Sequence, residues 1–415
     1  FGPIGSLVIN SSWYNITEEN HFWPTTNGPA SIYIQNNAII SGNRIINGTL
    51  DIAETLLVKG TLTNTGTVNV SGTLEVEGTY NNDGTTEISG KFLINPTGNV
   101  SGNGFVYTGC CSLLEFSGTN FTYNINNGNA FWPGTNEPKN VMVTNNLQVN
   151  VNATRATDEL YVNFYATLQV TGTLTTHDSS TIRGIFLVPG TYVNNDKVLI
   201  GRIFNVDGSF VNNGIAELNS VCEVTGSMIN NGTAQVNNIF QFNQGGTVSG
   251  NDLIYGPYGV LIFNNALSSY QVNSESPYWP NTNAAPRIVV QGAGGITLNT
   301  PHTVTGLLQV EAAVTGANNL LISGTLQMES GGFLDASPVY SGEATLVYNS
   351  VDSFYVGSEW VSGTDVGAGI PKHIEVNGIL VMPDSPRRCP GNLTIYGELF
   401  MNTALGADLS VGGNW

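Results

Sequence analysis

Charge is scarce in this sequence. Only 10% of its 415 residues are Asp, Glu, Lys or Arg, and 30 acidic residues outnumber 12 basic ones. A formal net charge of −18 offers no basic footprint to a nucleic-acid backbone. An anionic membrane would repel the same surface, and no apolar run is long enough to span a bilayer, so neither nucleic acid nor direct membrane insertion is expected. Spread this thinly, the acidity serves solubility and self-repulsion.

Cysteine is equally sparse. Cys110, Cys111, Cys222 and Cys389 lack the paired CxxC spacing of a structural zinc site. They read as small buried hydrophobes. Cys110 and Cys111, being adjacent, are poorly placed to bond to each other, and a bridge from either to a distant Cys stays open. His21, His302 and His373 have no partner at metal-ligand spacing. No GxSxG, HExxH, P-loop or dinucleotide fingerprint occurs. The chain opens at Phe1 without a charged n-region or apolar h-region and stops mid-pattern at Asn414-Trp415, as expected of a mature stretch of a longer protein.

What fills the space is glycine (50 residues), with abundant Asn and Thr. Gly and Asn resist helix and suit turns, while a 40% hydrophobic content is ample for a large core. Glycine recurs every six residues at Gly60, Gly66, Gly72, Gly78, Gly84 and Gly90. Apolar residues follow two and four places later, the alternation of a strand with one face buried. Three hexads form a larger unit of about eighteen: Phe186, Phe204, Cys222 and Phe240 recur at that interval, as do Leu174, Tyr192, Phe210 and Met228.

This pattern predicts an all-β parallel β-solenoid, or β-helix, with about 18-residue coils of three short strands, each strand pairing with its equivalent one coil away. The right-handed form is preferred, because the slot before each glycine is polar at Thr65, Ser71, Glu77 and Asp83. Asn194, Asn212 and Asn230 should stack into a corner ladder, with glycine easing the bend that follows.

A longer repeat overlies the hexads. Leu114-Glu115-Phe116, Tyr123, Phe131-Trp132-Pro133 and Val141-Met142-Val143 form an aromatic motif whose counterparts include Tyr14 with Phe22-Trp23-Pro24, and Tyr270 with Tyr278-Trp279-Pro280. A degenerate copy carries Tyr355 and Trp360. The four copies divide the chain into four modules, 1–103, 104–251, 252–339 and an incomplete 340–415, along one continuous rod. Each aromatic segment breaks the hexad rhythm and reads as a loop insertion. Its rings either fold back over the coil edge or present Trp23, Trp132, Trp279, Phe22, Phe131 and Tyr278 to a glycan or a neighbouring module.

The best cluster for chemistry is His177, Asp178, Asp196 and Lys197. Asp178 and Asp196 would stack on successive coils, where a close pair could supply an acid or a weak calcium site. Both sit in a turn slot that elsewhere holds Gly66, Gly84 and Gly214, which favours a plain corner. No catalytic residue is assigned, and no cofactor beyond that weak Ca2+ candidate.

The aromatic motifs, the GTLxVxG coils and above all the closing stretch from Gly369 to Trp415 (GIPKHIEVNGILVMPDSPRRCPGNLTIYGELFMNTALGADLSVGGNW) resemble the repeat regions of large Bacteroidota surface proteins, exported by type IX secretion and in some cases adhesins or filaments. The resemblance implies an extracellular, cell-surface location and a structural or adhesive role as stalk, filament or matrix, with self-association or other surface proteins and glycans as partners. It assigns no catalytic residue. The alternative is a carbohydrate-active β-helix enzyme or glycan-binding module.

Overall fold

A computed structural model of the chain describes residues 5–26, 28–403 and 407–415. The fold is an all-β solenoid of stacked parallel strands, about 20 turns of about 19 residues each. Its helical content among the described residues is one short 3-10 turn, Ala317–Asn319. The chain forms two compact units, Phe1–Ala216 and Glu217–Trp415.

In the first unit, Thr49–Ile52, Thr55–Val58 and Thr61–Asn64 make one turn, each strand belonging to a different sheet. Eighteen residues on, Thr67–Val70, Thr73–Val76 and Thr79–Asn82 pair with them in parallel, placing Leu50 beside Val68, Leu56 beside Leu74 and Leu62 beside Tyr80. Side chains alternate across a strand, so the second and fourth residues of these four-residue strands enter the core. The second unit keeps the same rule, with Leu308 beside Leu326 and Val310 beside Met328.

The hexad glycines have a different cause from the bend anticipated for them. A Cβ at Gly78 would lie 2.2 Å from the Gly60 carbonyl oxygen, and one at Gly214 only 1.8 Å from that of Asp196. Successive turns touch backbone to backbone at Gly78 and Gly214, and a side chain added at either would force the turns to shift.

The asparagine row runs inside the corner. Asn194, Asn212 and Asn230 are fully buried. Asn194 Nδ2 donates to Asn212 Oδ1 at 2.8 Å, as Asn64 Nδ2 does to Asn82 Oδ1. An exposed second row follows it, with Asn213 Nδ2 donating to Asn195 Oδ1 at 2.9 Å. In the second unit, Asn230 Nδ2 closes on the Asn251 carbonyl at 3.0 Å. The buried Nδ2 donors are taken up by the next amide and by turn carbonyls, which lets a polar side chain occupy a core corner.

Turns that carry an aromatic motif are longer. Leu113 pairs with Asn140, and Val260 with Arg287, each 27 residues away. The excess replaces a strand: after Leu113–Phe116 and Thr122–Ile125 no third strand forms before Asn140–Val143. One sheet ends at Val106–Tyr107 and another begins at Thr154–Thr157, with the aromatic loop between them in sequence. In the second unit, Val339–Tyr340 and Arg387–Cys389 end and begin sheets in the same way around the fourth aromatic motif.

Two sequence expectations are corrected here. In the fourth aromatic motif Tyr355 is exposed, and Phe354 is the ring that turns inward from Ser353–Tyr355, so the alignment shifts by one residue. Cys110 and Cys111 are exposed rather than buried, because they lie in a turn between strands, outside the alternating pattern; Cys222 and Cys389 are buried as expected.

Candidate functional site

The aromatic loop is built to substitute for the strand it displaces. In the second motif, Phe105 N–H donates to Ala130 O at 2.9 Å and Tyr107 N–H to Asn136 O at 3.2 Å. The Tyr107 hydroxyl adds a bond to Phe131 O at 2.7 Å. On the following strand, Ala156 receives both halves of a ladder rung from side chains. Glu137 Oε1 accepts its N–H at 2.7 Å, and Trp132 Nε1–H donates to its carbonyl at 3.2 Å. Backbone groups that lost a neighbouring strand are thereby paired, which buried polar groups require.

Beneath the loop lies an aromatic cluster. Phe116 stands 5.1 Å from Tyr123, 6.1 Å from Phe131 and 6.1 Å from Trp132 between ring centroids. The third motif repeats it around Phe263, at 5.9 Å from Tyr270, 5.9 Å from Tyr278 and 6.1 Å from Trp279. Mostly tilted and edge-on contacts of this kind add to the area the rings bury.

A buried basic residue accompanies each motif tryptophan. The Arg155 guanidinium donates to Thr154 O and Asn126 O at 2.6 Å each, and that of Arg44 to Asn43 O at 2.5 Å and to Thr17 O. The third motif has His302 instead, its ring 5.0 Å from Trp279 and its basicity lowered by burial. The fourth has Arg387, next to Arg388, whose carbonyl accepts from Trp360 Nε1 at 2.9 Å. Each basic residue belongs to the strand that starts the new sheet, and Arg44 and Arg155 use their planar donors to hold the loop's first carbonyl, Thr17 O and Asn126 O, against that strand.

These observations decide between the two readings of the aromatic segment. Trp23, Trp132, Trp279, Phe131 and Tyr278 are buried and Phe22 is half-buried, so none offers an open ring face to a sugar. The glycan platform is corrected to an internal plug, because the rings pack inward against Phe116 and Phe263 in turns that lack a third strand.

The candidate carboxylates Asp178 and Asp196 are exposed on one corner, joined by a third that the sequence pattern did not reveal. Asp178 N–H donates to Asp158 O at 2.8 Å, which puts Asp158 in the same row. The side chains diverge: Asp158 pairs with Lys139 at 3.1 Å, and Asp178 Oδ1 takes the Ser179 N–H at 2.7 Å. Among the described residues no group of three or more His, Cys, Asp or Glu is arranged to hold a metal ion. His177 bonds Asn195 through Nδ1 at 3.2 Å, and it lines a cleft of about 340 Å3 with Glu137, Lys139 and Asp158. Burial raises the Glu137 carboxyl above the usual range, against the opposing pull of Ala156 N–H and Arg155.

Two sets of functional residues lie outside the sequence expectations. Tyr107, Tyr255 and Tyr340 each send a hydroxyl to the carbonyl preceding the motif tryptophan, at 2.7, 2.7 and 2.9 Å. Their signal was present, a Val-Tyr or Ile-Tyr pair 20 to 25 residues upstream of the tryptophan. The basic residues were visible as well, since four of only twelve Lys and Arg, namely Arg44, Arg155, Arg387 and Arg388, fall in the third strand after an aromatic loop.

Fold and site together define a β-solenoid repeat protein with plugged aromatic turns. Comparison with models of known families, with curated proteins and with solved structures found no match.

Proposed function

We propose that this chain is a structural and adhesive element of an extracellular bacterial surface, serving as stalk, filament or matrix. The observation that carries the reading is the fate of the motif aromatics: residues that could have formed a binding platform are spent on closing the interior. What remains outside is largely short and polar, in rows such as Thr49, Thr67 and Thr85, or Thr61 and Thr79. Continuous parallel ladders resist bending, and the net charge of −18 disfavours nonspecific clumping. The likeness of the closing stretch to Bacteroidota surface repeats supports the extracellular assignment and export by type IX secretion. Contacts with other copies, surface proteins or glycans would then run through the polar rows.

One observation favours a second reading, a carbohydrate-active or glycan-binding module. The cleft holding Glu137, Lys139, Asp158 and His177 gathers four titratable side chains from successive turns. Electron microscopy of the native material, with a polysaccharide-degradation assay on the same sample, separates the two. Extended periodic structures without sugar release support the scaffold. Isolated particles that cleave a polysaccharide, with cleavage lost in Glu137→Gln, would overturn it.

A further inference from the structure

The turn between Val106–Tyr107 and Leu113–Phe116 carries the chain's two exposed thiols side by side. Cys110 Sγ and Cys111 Sγ are 3.2 Å apart, so neighbouring side chains point the same way instead of diverging as they would along a strand. The turn is open on its approach side. Gly109 has φ +77°, and apart from its own chain neighbours no residue lies within 4 Å of where its Cβ would be. Cys111 also lines a groove of about 310 Å3 with Met142, Glu159 and Tyr161, large enough to seat part of a small peptide. Cys222 and Cys389 are buried, so the four thiols fall into two kinds.

We propose that Cys110 and Cys111 form a reversible dithiol–disulfide site whose oxidant is a small-molecule disulfide received at the adjoining groove. One cysteine thiolate attacks a sulfur of the small disulfide, forming a mixed disulfide and releasing one small thiolate. The second cysteine thiolate then attacks the protein sulfur of that mixed disulfide. The Cys110–Cys111 bond forms and a second small thiolate leaves. The protein loses two electrons and two protons, and the small disulfide becomes two thiols. Closure needs the sulfurs to approach by roughly 1.2 Å, to the ~2.04 Å of a disulfide, which side-chain rotation in an open turn can supply.

The geometry also sets the character of the bond. Consecutive Cα atoms are only about 3.8 Å apart, below the roughly 4.4–6.8 Å that an unstrained disulfide spans. The closed ring is therefore strained and easily reduced, the mark of a switchable bond rather than a staple. Cys110 and the nearby Glu159 hold the Cys111 thiol above its ordinary range, so closure accelerates as pH rises.

The test uses the native chain, oxidised glutathione and N-ethylmaleimide, read by intact mass and peptide mapping. Before oxidation two thiols alkylate, Cys110 and Cys111. After oxidation none does, the protein is lighter by two hydrogen atoms, and mild dithiothreitol restores both sites. Cys110→Ser and Cys111→Ser each keep one glutathione instead, because the resolving thiol is gone. Stable glutathione adducts on the wild type, covalent dimers, or two thiols still alkylating after treatment would each overturn the proposal.

Discussion

The Tyr107 hydroxyl donates to the Phe131 carbonyl at 2.7 Å, joining the last strand of one sheet to the loop that interrupts it. The bond is fully buried, so its loss strands an acceptor with no water to replace the donor. Tyr107→Phe should cost about 1–3 kcal/mol, read as a lower urea midpoint. Tyr165→Phe, at an exposed ring, should leave the midpoint unchanged.

Trp132 fills the hole left by the missing strand and bonds the Ala156 carbonyl. Trp132→Ala should cost roughly 3–5 kcal/mol, while Trp132→Phe should recover most of the packing but not the hydrogen bond. A glycan array run on the same proteins should show no change that tracks Trp132. A selective loss of sugar binding by a variant of unchanged stability would restore the platform reading.

Asn212 tests the internal ladder. Asn212→Asp keeps the shape but replaces the Nδ2 donor to the Gly214 carbonyl with a buried carboxylate. At neutral pH the variant should lose roughly 3–5 kcal/mol, the range for a buried charge left without a partner. Burial raises that carboxyl's pKa in the folded state, so stability should return as pH falls and the group protonates. A loss independent of pH would mean that the corner is hydrated.

Glu359 predicts a pH dependence in the wild type. Its carboxyl is buried, accepting from Gly357 N–H at 2.8 Å and Tyr348 hydroxyl at 3.0 Å, and desolvation raises its pKa despite those bonds and Arg387. The folded state thus holds the proton more tightly than the unfolded chain. Stability from this residue is full below the ordinary carboxylate range and declines as pH rises through the raised value. Glu359→Gln keeps the acceptor oxygen and should flatten that decline in urea midpoints measured from about pH 4 to pH 8. A variant less stable at neutral pH would show that pairing with Arg387 outweighs the cost of burial.

The solenoid was legible because its signal repeats. A glycine and two apolar residues in each hexad state which side chains point inward, and the eighteen-residue recurrence of Phe186 and Phe204 states what stacks on what. The aromatic motifs were legible as interruptions but not as plugs, since a tryptophan that fills a core and one that awaits a sugar are the same letter. What separates them is long-range: Tyr107 upstream and Arg155 downstream hold the loop in place. Both were visible as residues, yet each sits in an ordinary inward strand position, beside Ile88 and Leu174, so the six-residue rhythm does not mark either as a loop anchor. The Asp158 row was hidden for a related reason, because the turn beyond it runs to twenty residues and shifts the spacing.

The central claim is that the aromatic loop replaces a strand and seals the edge of the stack. Amide-resolved hydrogen exchange at Ala156 tests it most directly, because the partner of that N–H is the Glu137 side chain. Protection should be close to that of Thr175 in the uninterrupted strand Thr173–Thr176, with rapid exchange at Ala156 in Glu137→Ala. Rapid exchange at Ala156 in the wild type would show an open edge and contradict the claim.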